Sequence, residues 1–361
     1  MYRSVTWEGG DQLKKSIYIG ERLIDENASA YIIAEISANH LMSFDRAKQI
    51  IYELKDSGVD AVKLQTYTAD TITIDCDNEE FQIHGGLWDG ETLYSLYQKA
   101  YTPWEWQGEL VEYANSLGLA CFSSPFDLTA VDFMNEIHMP AYKVASYEIN
   151  DIPMIRKIAK TGKPIIISTG TAHLEDIERA LKVCQEEDND NVILLKCTSA
   201  YPCPYQDMNI KAIPLMKDTF DCMVGLSDHS LGAEVALGAI ALGAKVIEKH
   251  VTLKREDGGP DAAFSMEIEE FIDMVHQIRN LEKALGRATF ELTEKQERAR
   301  KGTRSLYVVK DVVAGEEFTE ENVRSIRPGK GLHTMYYEEI LGKKALMDLK
   351  KGTPLSWSMI E

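Results

Sequence analysis

Short apolar runs recur along the chain, with amphipathic stretches between them. The runs are residues 31–40 (YIIAEISANH), 61–67 (AVKLQTY), 120–126 (ACFSSPF), 141–146 (AYKVAS), 165–170 (IIISTG), 192–198 (VILLKCT), 223–229 (MVGLSDH) and 246–252 (VIEKHVT). Each reads as a strand. Over 47–57, 104–117, 152–161, 174–185 and 233–242, apolar residues fall at i, i+3 and i+4, the spacing of a helix with one buried stripe. Gly58, Gly118, Gly162 and Gly243 stand where four of these helices should stop.

Eight such units in succession predict an α/β fold of the (β/α)8 barrel type. A doubly wound open sheet is the alternative, and the lack of GxGxxG after the first run counts against it. Residues 16–24 (SIYIGERLI) predict a β-hairpin turning at Gly20, placed to close the base of the barrel. Residues 75–101 are a long insertion rich in Tyr and Trp, with GGLWDG at 85–90, leading into YTPWEW at 101–106. On the catalytic face it is a lid or wall; otherwise it is an excursion packed on the rim. A helix over 267–285 ends the barrel domain, 1–285, and the polar stretch 286–303 reads as a linker. The tail, 304–361, predicts short strands at 304–312, 322–329 and 344–355. At about 60 residues it is near the lower limit for an independent core, so it should lean on the barrel or on a second subunit.

With 44% hydrophobic and 27% charged residues among 361, the composition is that of a soluble protein. No run approaches the roughly 18 apolar residues of a membrane span, and residues 1–20 carry no apolar signal core. A cytoplasmic location is the expectation. The six cysteines (76, 121, 184, 197, 203, 222) form no CxxC pair and read as reduced, mostly buried thiols. A net charge of −19 repels nucleic-acid phosphates, so neither nucleic acid nor membrane is expected as a partner. A small anion is still compatible, because a few lysines in a cleft reverse the field locally.

In a barrel of this type the chemistry sits where the strands end. Side chains two apart share a face. That parity groups Glu35, Ser37 and Asn39; Lys63 and Gln65; Lys143, with Ser146 at its strand's end; Ser168; Ser199 and Tyr201; Ser227 and His229; and Glu248 and His250. Burying so many polar groups without a ligand is expensive. Lys63, Lys143, Ser124, Ser146, Ser168, Ser199 and Ser227 form a set of cations and hydroxyls suited to phosphate and carboxylate oxygens. His229 and His250 end adjacent strands, each with an acidic residue nearby in sequence, Asp228 and Glu248. Such a pair suits a first-row divalent ion, and Mn²⁺ or Mg²⁺ fits an oxygen-rich site better than zinc does. A Schiff-base aldolase using Lys143 or Lys196 is a rival reading, and a non-catalytic sugar- or ice-binding protein is another.

The stretches AEISANH (34–40), AVKLQTY (61–67), KVASYEINDIP (143–153), STGTAHLEDI (168–177), LLKCTSAYPCP (194–204), GLSDHSLG (225–232), ALGAKVIEKH (241–250) and GGPDAAFS (258–265) together resemble the sialic acid synthase family. Residues 304–332 resemble its antifreeze-like (SAF) domain. The resemblance implies condensation of phosphoenolpyruvate with an N-acetylated amino sugar and water, giving a nonulosonic acid and phosphate. It implies phosphoenolpyruvate contacts at Lys63, Ser124, Lys143, Ser146, Ser168, Ser199 and Ser227, although the sialic acid branch has an asparagine where Ser199 stands. It places a divalent metal on His229 and His250. Glu35 and Glu248 match catalytic positions, and Gln65, Tyr201 and Asp261 match sugar-side ones. It also implies a domain-swapped homodimer in which the small domain caps the partner's barrel and brings Arg327 to it. The insertion and REDGGPDAAFS (255–265) are most similar to the branch that makes pseudaminic acid, with the sialic and legionaminic acid branches as alternatives.

Overall fold

The computed structural model describes residues 13–361, which fall into two compact units, one ending at Gly286 and the other beginning at Arg287. In the first, β1 (Ile17–Ile19) and β2 (Arg22–Ile24) form the antiparallel hairpin. Eight parallel strands follow: β3 (Tyr31–Glu35), β4 (Ala61–Thr66), β5 (Ala120–Pro125), β6 (Tyr142–Val144), β7 (Ile165–Ser168), β8 (Val192–Cys197), β9 (Met223–Asp228) and β10 (Val246–Thr252). Each pairs with the next, and β10 pairs with both β9 and β3, which closes the barrel. A two-residue β11 (Met266–Glu267) adds to β10.

The outer helices follow from their apolar spacing. The helix Phe44–Leu54 buries Ala47, Ile50, Ile51 and Leu54 on one stripe, and the Ser43 hydroxyl accepts from Arg46 N at its start. The four expected stop glycines all take positive φ, from +67° to +96°, where a side chain would be strained. Two helices were not singled out from sequence, Leu128–Glu136 and Ala212–Phe220. The hairpin lies at the base, as expected: Ile17, Ile19 and Ile24 join the barrel core, and Arg22 Nε donates to Asp60 Oδ1 at 3.0 Å, just before β4.

The first run departs from expectation. β3 stops at Glu35, and Ser37–His40 form a 3₁₀ turn entered with Ser37 at φ +48°. Strand parity therefore does not extend to Ser37 and Asn39. Asn39 Nδ2 is used in the wall, donating to Val251 O (2.9 Å) and Ser265 Oγ (2.8 Å). Asp228 is a second correction. It points to the outer face of the sheet and pairs there with Lys249 at 2.7 Å, both fully buried. Its other oxygen accepts from Ser230 N and Oγ at 2.8 and 2.7 Å. The charge beside His229 in sequence is thus a structural one, and it does not enter the site.

In the second unit, β12 (Ser305–Val308) pairs antiparallel with β13 (Val323–Ile326) over a core that includes Leu306, Val308, Phe318, Val323 and Ile340. Residues 344–355 contribute isolated bridges, such as Val312 with Leu349, instead of the expected strand. The stretch read as a linker carries an exposed short helix, Glu294–Ala299, capped by Thr293.

Candidate active site

Four buried charges meet at the C-terminal end of the barrel. Lys63 on β4 contacts Glu35 on β3, and it lies 3.0 Å from Glu248 Oε2 on β10. Lys143 on β6 reaches Glu248 Oε1 at 3.6 Å, and Ser227 Oγ donates to the same oxygen at 3.0 Å. Parallel register makes this meeting necessary, because Glu35 lies opposite both Lys63 and His250. Burial raises the Glu248 carboxyl, but Lys143 and Lys63 outweigh it and hold the group at about 2. Burial brings the Lys63 amine down to about 8 against the pull of Glu248. Both Glu35 oxygens are buried without a hydrogen-bond partner beyond the ion pair.

Around the quartet stand hydroxyls with nothing to bond. Ser124, Ser168 and Ser199 each present a buried Oγ that lacks a partner, an expensive state unless a ligand supplies one. Ser146 Oγ accepts from Gly170 N at 3.0 Å. A Cβ on Gly170 would lie 2.4 Å from Ser199 Oγ, 2.8 Å from Ser146 Oγ and 3.0 Å from Cys197 Sγ, so only glycine fits. Gly170→Ala is expected to push these hydroxyls out of line and raise KM for an anionic substrate about tenfold or more, with the fold retained. Steady-state kinetics beside a thermal melt will check it.

The two histidines are neighbours, with ring centroids 5.4 Å apart. His229 Nδ1 lies 3.2 Å from Thr198 O, which leaves Nε2 as the free nitrogen. His250 Nδ1 has no partner, and burial, with His229 second, keeps the ring neutral. Burial pulls the His229 ring down, but the Cys197 sulfur at 3.9 Å and the Thr198 carbonyl outweigh it and shift the ring above its ordinary value. Two such nitrogens fit a divalent cation whose other positions are filled by oxygen. Among the described residues no cluster of three or more His, Cys, Asp or Glu gathers to hold a metal.

Gln65 shares the inner face of β4 with Lys63. Tyr201 packs on His229 with centroids 4.4 Å apart and on Phe264 at 5.1 Å. Asp261 accepts from Ser37 Oγ and from Ala38 N (3.2 Å), which fixes it over the 3₁₀ turn. Arg327 is exposed in the second unit, just after β13. The insertion holds a helix, Leu93–Ala100, whose Tyr97 packs on Tyr67, and a glycine-bounded tip whose Trp88 lies 5.8 Å from Tyr201. It is therefore a wall of the site.

Two residues went unmarked in the sequence. Cys197 lines the hydroxyl pocket; burial raises its thiol, but His229 and Ser146 outweigh that and leave it at about 7. Parity with Ser199 would have found it. Glu148 sits in a turn after β6, with Oε2 buried and unpartnered, and burial lifts its carboxyl to about 7. Its proton is available near neutral pH. Lys196 faces away, bound to Cys197 O and Thr198 Oγ1, and Lys143 is paired, so neither presents the free amine an aldolase needs.

A barrel that buries paired lysines, unpaired hydroxyls and two imidazoles at its C-terminal mouth is built to receive a small polyanion, with two ring nitrogens at its side. The NeuB family model matches residues 50–290, and the SAF domain model matches 303–361. The pseudaminic acid synthase of Campylobacter jejuni is 47% identical over 328 residues, 91% of this chain and 96% of that protein. The N,N'-diacetyllegionaminic acid synthase of the same species is 39% identical, over 89% of this chain and 97% of that protein. The crystal structure of the N-acetylneuraminic acid synthetase of Leptospira borgpetersenii superposes with a TM-score of 0.71 at 29% identity, covering 80% of this chain and 96% of that one. The chain belongs to the NeuB family.

Proposed function

We propose that the chain condenses phosphoenolpyruvate with 2,4-diacetamido-2,4,6-trideoxy-L-altrose and water, giving pseudaminic acid and phosphate. The observation that carries this reading is the charge quartet of Lys63, Lys143, Glu35 and Glu248, ringed by unpartnered serines beside two histidines. The higher identity to pseudaminic acid synthase than to the legionaminic enzyme supports the choice of sugar.

Lys63 and Lys143 hold the phosphate and carboxylate of phosphoenolpyruvate, with Ser124, Ser146, Ser168, Ser199 and Ser227 completing the cradle. Gln65, Tyr201 and Asp261 align the open-chain sugar so that its C1 faces C3 of phosphoenolpyruvate, and fixed geometry contributes much of the rate. His229 and His250 hold Mn²⁺ or Mg²⁺, which supplies Lewis-acid polarisation of the sugar carbonyl when bound. Bond formation at C3 leaves positive charge at C2, and water adds there. Glu35 orients that water and takes its proton, because beyond its ion pair with Lys63 its oxygens have no donor. Glu248, held ionised by two lysines, positions them. Phosphate then leaves with the bridging oxygen.

The working unit is a homodimer in the cytoplasm, in which the small domain of one copy caps the partner's barrel and brings Arg327 to the sugar. Exposed Val313, Met335, Leu346, Met347 and Trp357 on the small domain, and six unpaired cysteines, support this. No described helix is long and apolar enough to cross a membrane. Phosphoenolpyruvate carrying ¹⁸O in the C–O–P bridge tests the chemistry: the label should appear in phosphate. Label retained in the sugar acid would mean attack at phosphorus and would refute it.

A further inference from the structure

We propose that Trp88 is a specificity-determining residue of this site, its indole forming the wall that meets a methyl-bearing, deoxygenated end of the acetamido sugar. The inference deepens the reading above and rests on it. Trp88 is carried by the tip of the insertion. Gly85, Gly86 and Gly90 take φ of +74°, +73° and +84° there, and each has open space where a Cβ would stand. Glycine therefore serves the turn at these positions and not the packing. The turn is closed by Gly85 N donating to Asp89 Oδ1 at 2.6 Å and Gly90 N to Ile83 O at 3.0 Å. It presents one large side chain inward, since Leu87 beside Trp88 is exposed.

The indole has a fixed place. Its Nε1 donates to Pro260 O at 3.0 Å, on the loop that carries Asp261 and Phe264. Its ring lies 5.8 Å from Tyr201, and Phe264 lies 4.9 Å from His250. Trp88, Tyr201 and Phe264 thus form a run of aromatic rings on one side, which reaches the two imidazoles through Tyr201 and Phe264. A sugar held by its carbonyl end at the imidazoles has its far end directed along this aromatic side. Ring faces favour a methyl group there and supply nothing to pair a hydroxyl, which leaves a hydroxyl desolvated and unbonded. Trp88 is half-buried, so its ring is not consumed by packing.

Two roles separate experimentally: a wall for the sugar, or a latch that only holds the Pro260 loop. W88A and W88F are assayed with the 6-deoxy sugar and with its 6-hydroxy counterpart, beside KM for phosphoenolpyruvate. W88F keeps a ring face and loses the N–H donor. The wall role predicts that W88A cuts kcat/KM for the deoxy sugar at least about tenfold. It also predicts that W88A reduces the preference over the hydroxy sugar, leaves KM for phosphoenolpyruvate unchanged, and that W88F retains most of the preference. An equal loss with both sugars, or an unchanged preference in W88A, overturns it while leaving the synthase reading intact. No phosphate release by the unsubstituted protein with either sugar removes both.

Discussion

Lys63→Met is expected to lower kcat/KM for phosphoenolpyruvate by about 10² to 10³-fold, mainly through KM. Lys63 is one of two cations among four buried charges, and it touches both Glu35 and Glu248. Removing one partner of a buried pair costs about 3–5 kcal/mol, because the charge left behind stays buried and uncompensated. Losing the cation that pairs with a buried ligand anion costs a comparable amount of binding, about 3–4 kcal/mol, which at about 1.4 kcal/mol per tenfold gives the expected loss. The same substitution should lower the unfolding free energy of the ligand-free protein, read from its urea midpoint. Adding Glu35→Gln removes the stranded charge, so the double variant should regain stability and remain inactive. If KM for phosphoenolpyruvate stays unchanged in Lys63→Met, the lysine serves only the fold.

His250→Ala should abolish metal-dependent turnover, by about 10³-fold or more, since Lewis-acid polarisation contributes several kcal/mol. Phosphoenolpyruvate binding should survive, because the lysines and serines are untouched. Calorimetry with phosphoenolpyruvate and a Mn²⁺ titration of phosphate release separate the two effects. Chelator treatment of the unsubstituted protein should reproduce the loss, and Mn²⁺ should restore it. Full activity and an unaltered metal response in His250→Ala would remove the residue from the ligand set.

The barrel was readable in sequence because its strands are buried on both faces, so each appears as an apolar run broken by a few polar residues at its end. Parity then grouped Lys63, Glu248 and Ser227, which the structure brings into contact. It failed where the chain leaves the strand. Ser37 and Asn39 lie in a 3₁₀ turn, where alternate residues no longer share a face, and Glu148 was missed for the same reason. Asp228 and Lys249 were invisible as a pair, since each adjoins a site residue in sequence yet lies on the outer face. Trp88 could be marked only as part of an aromatic insertion. Its hydrogen bond to Pro260 spans 172 residues, and no local pattern encodes such a contact.

Phosphate release from phosphoenolpyruvate in the presence of Mn²⁺ tests the central claim most directly, run in parallel with the 2,4-diacetamido-trideoxy-altrose, N-acetylmannosamine and the legionaminic acid precursor. Release that requires the first sugar and is absent with the other two is the expected result. Release with another sugar would move the specificity and keep the chemistry, whereas none with any sugar, from folded and metal-loaded protein, would contradict the synthase assignment.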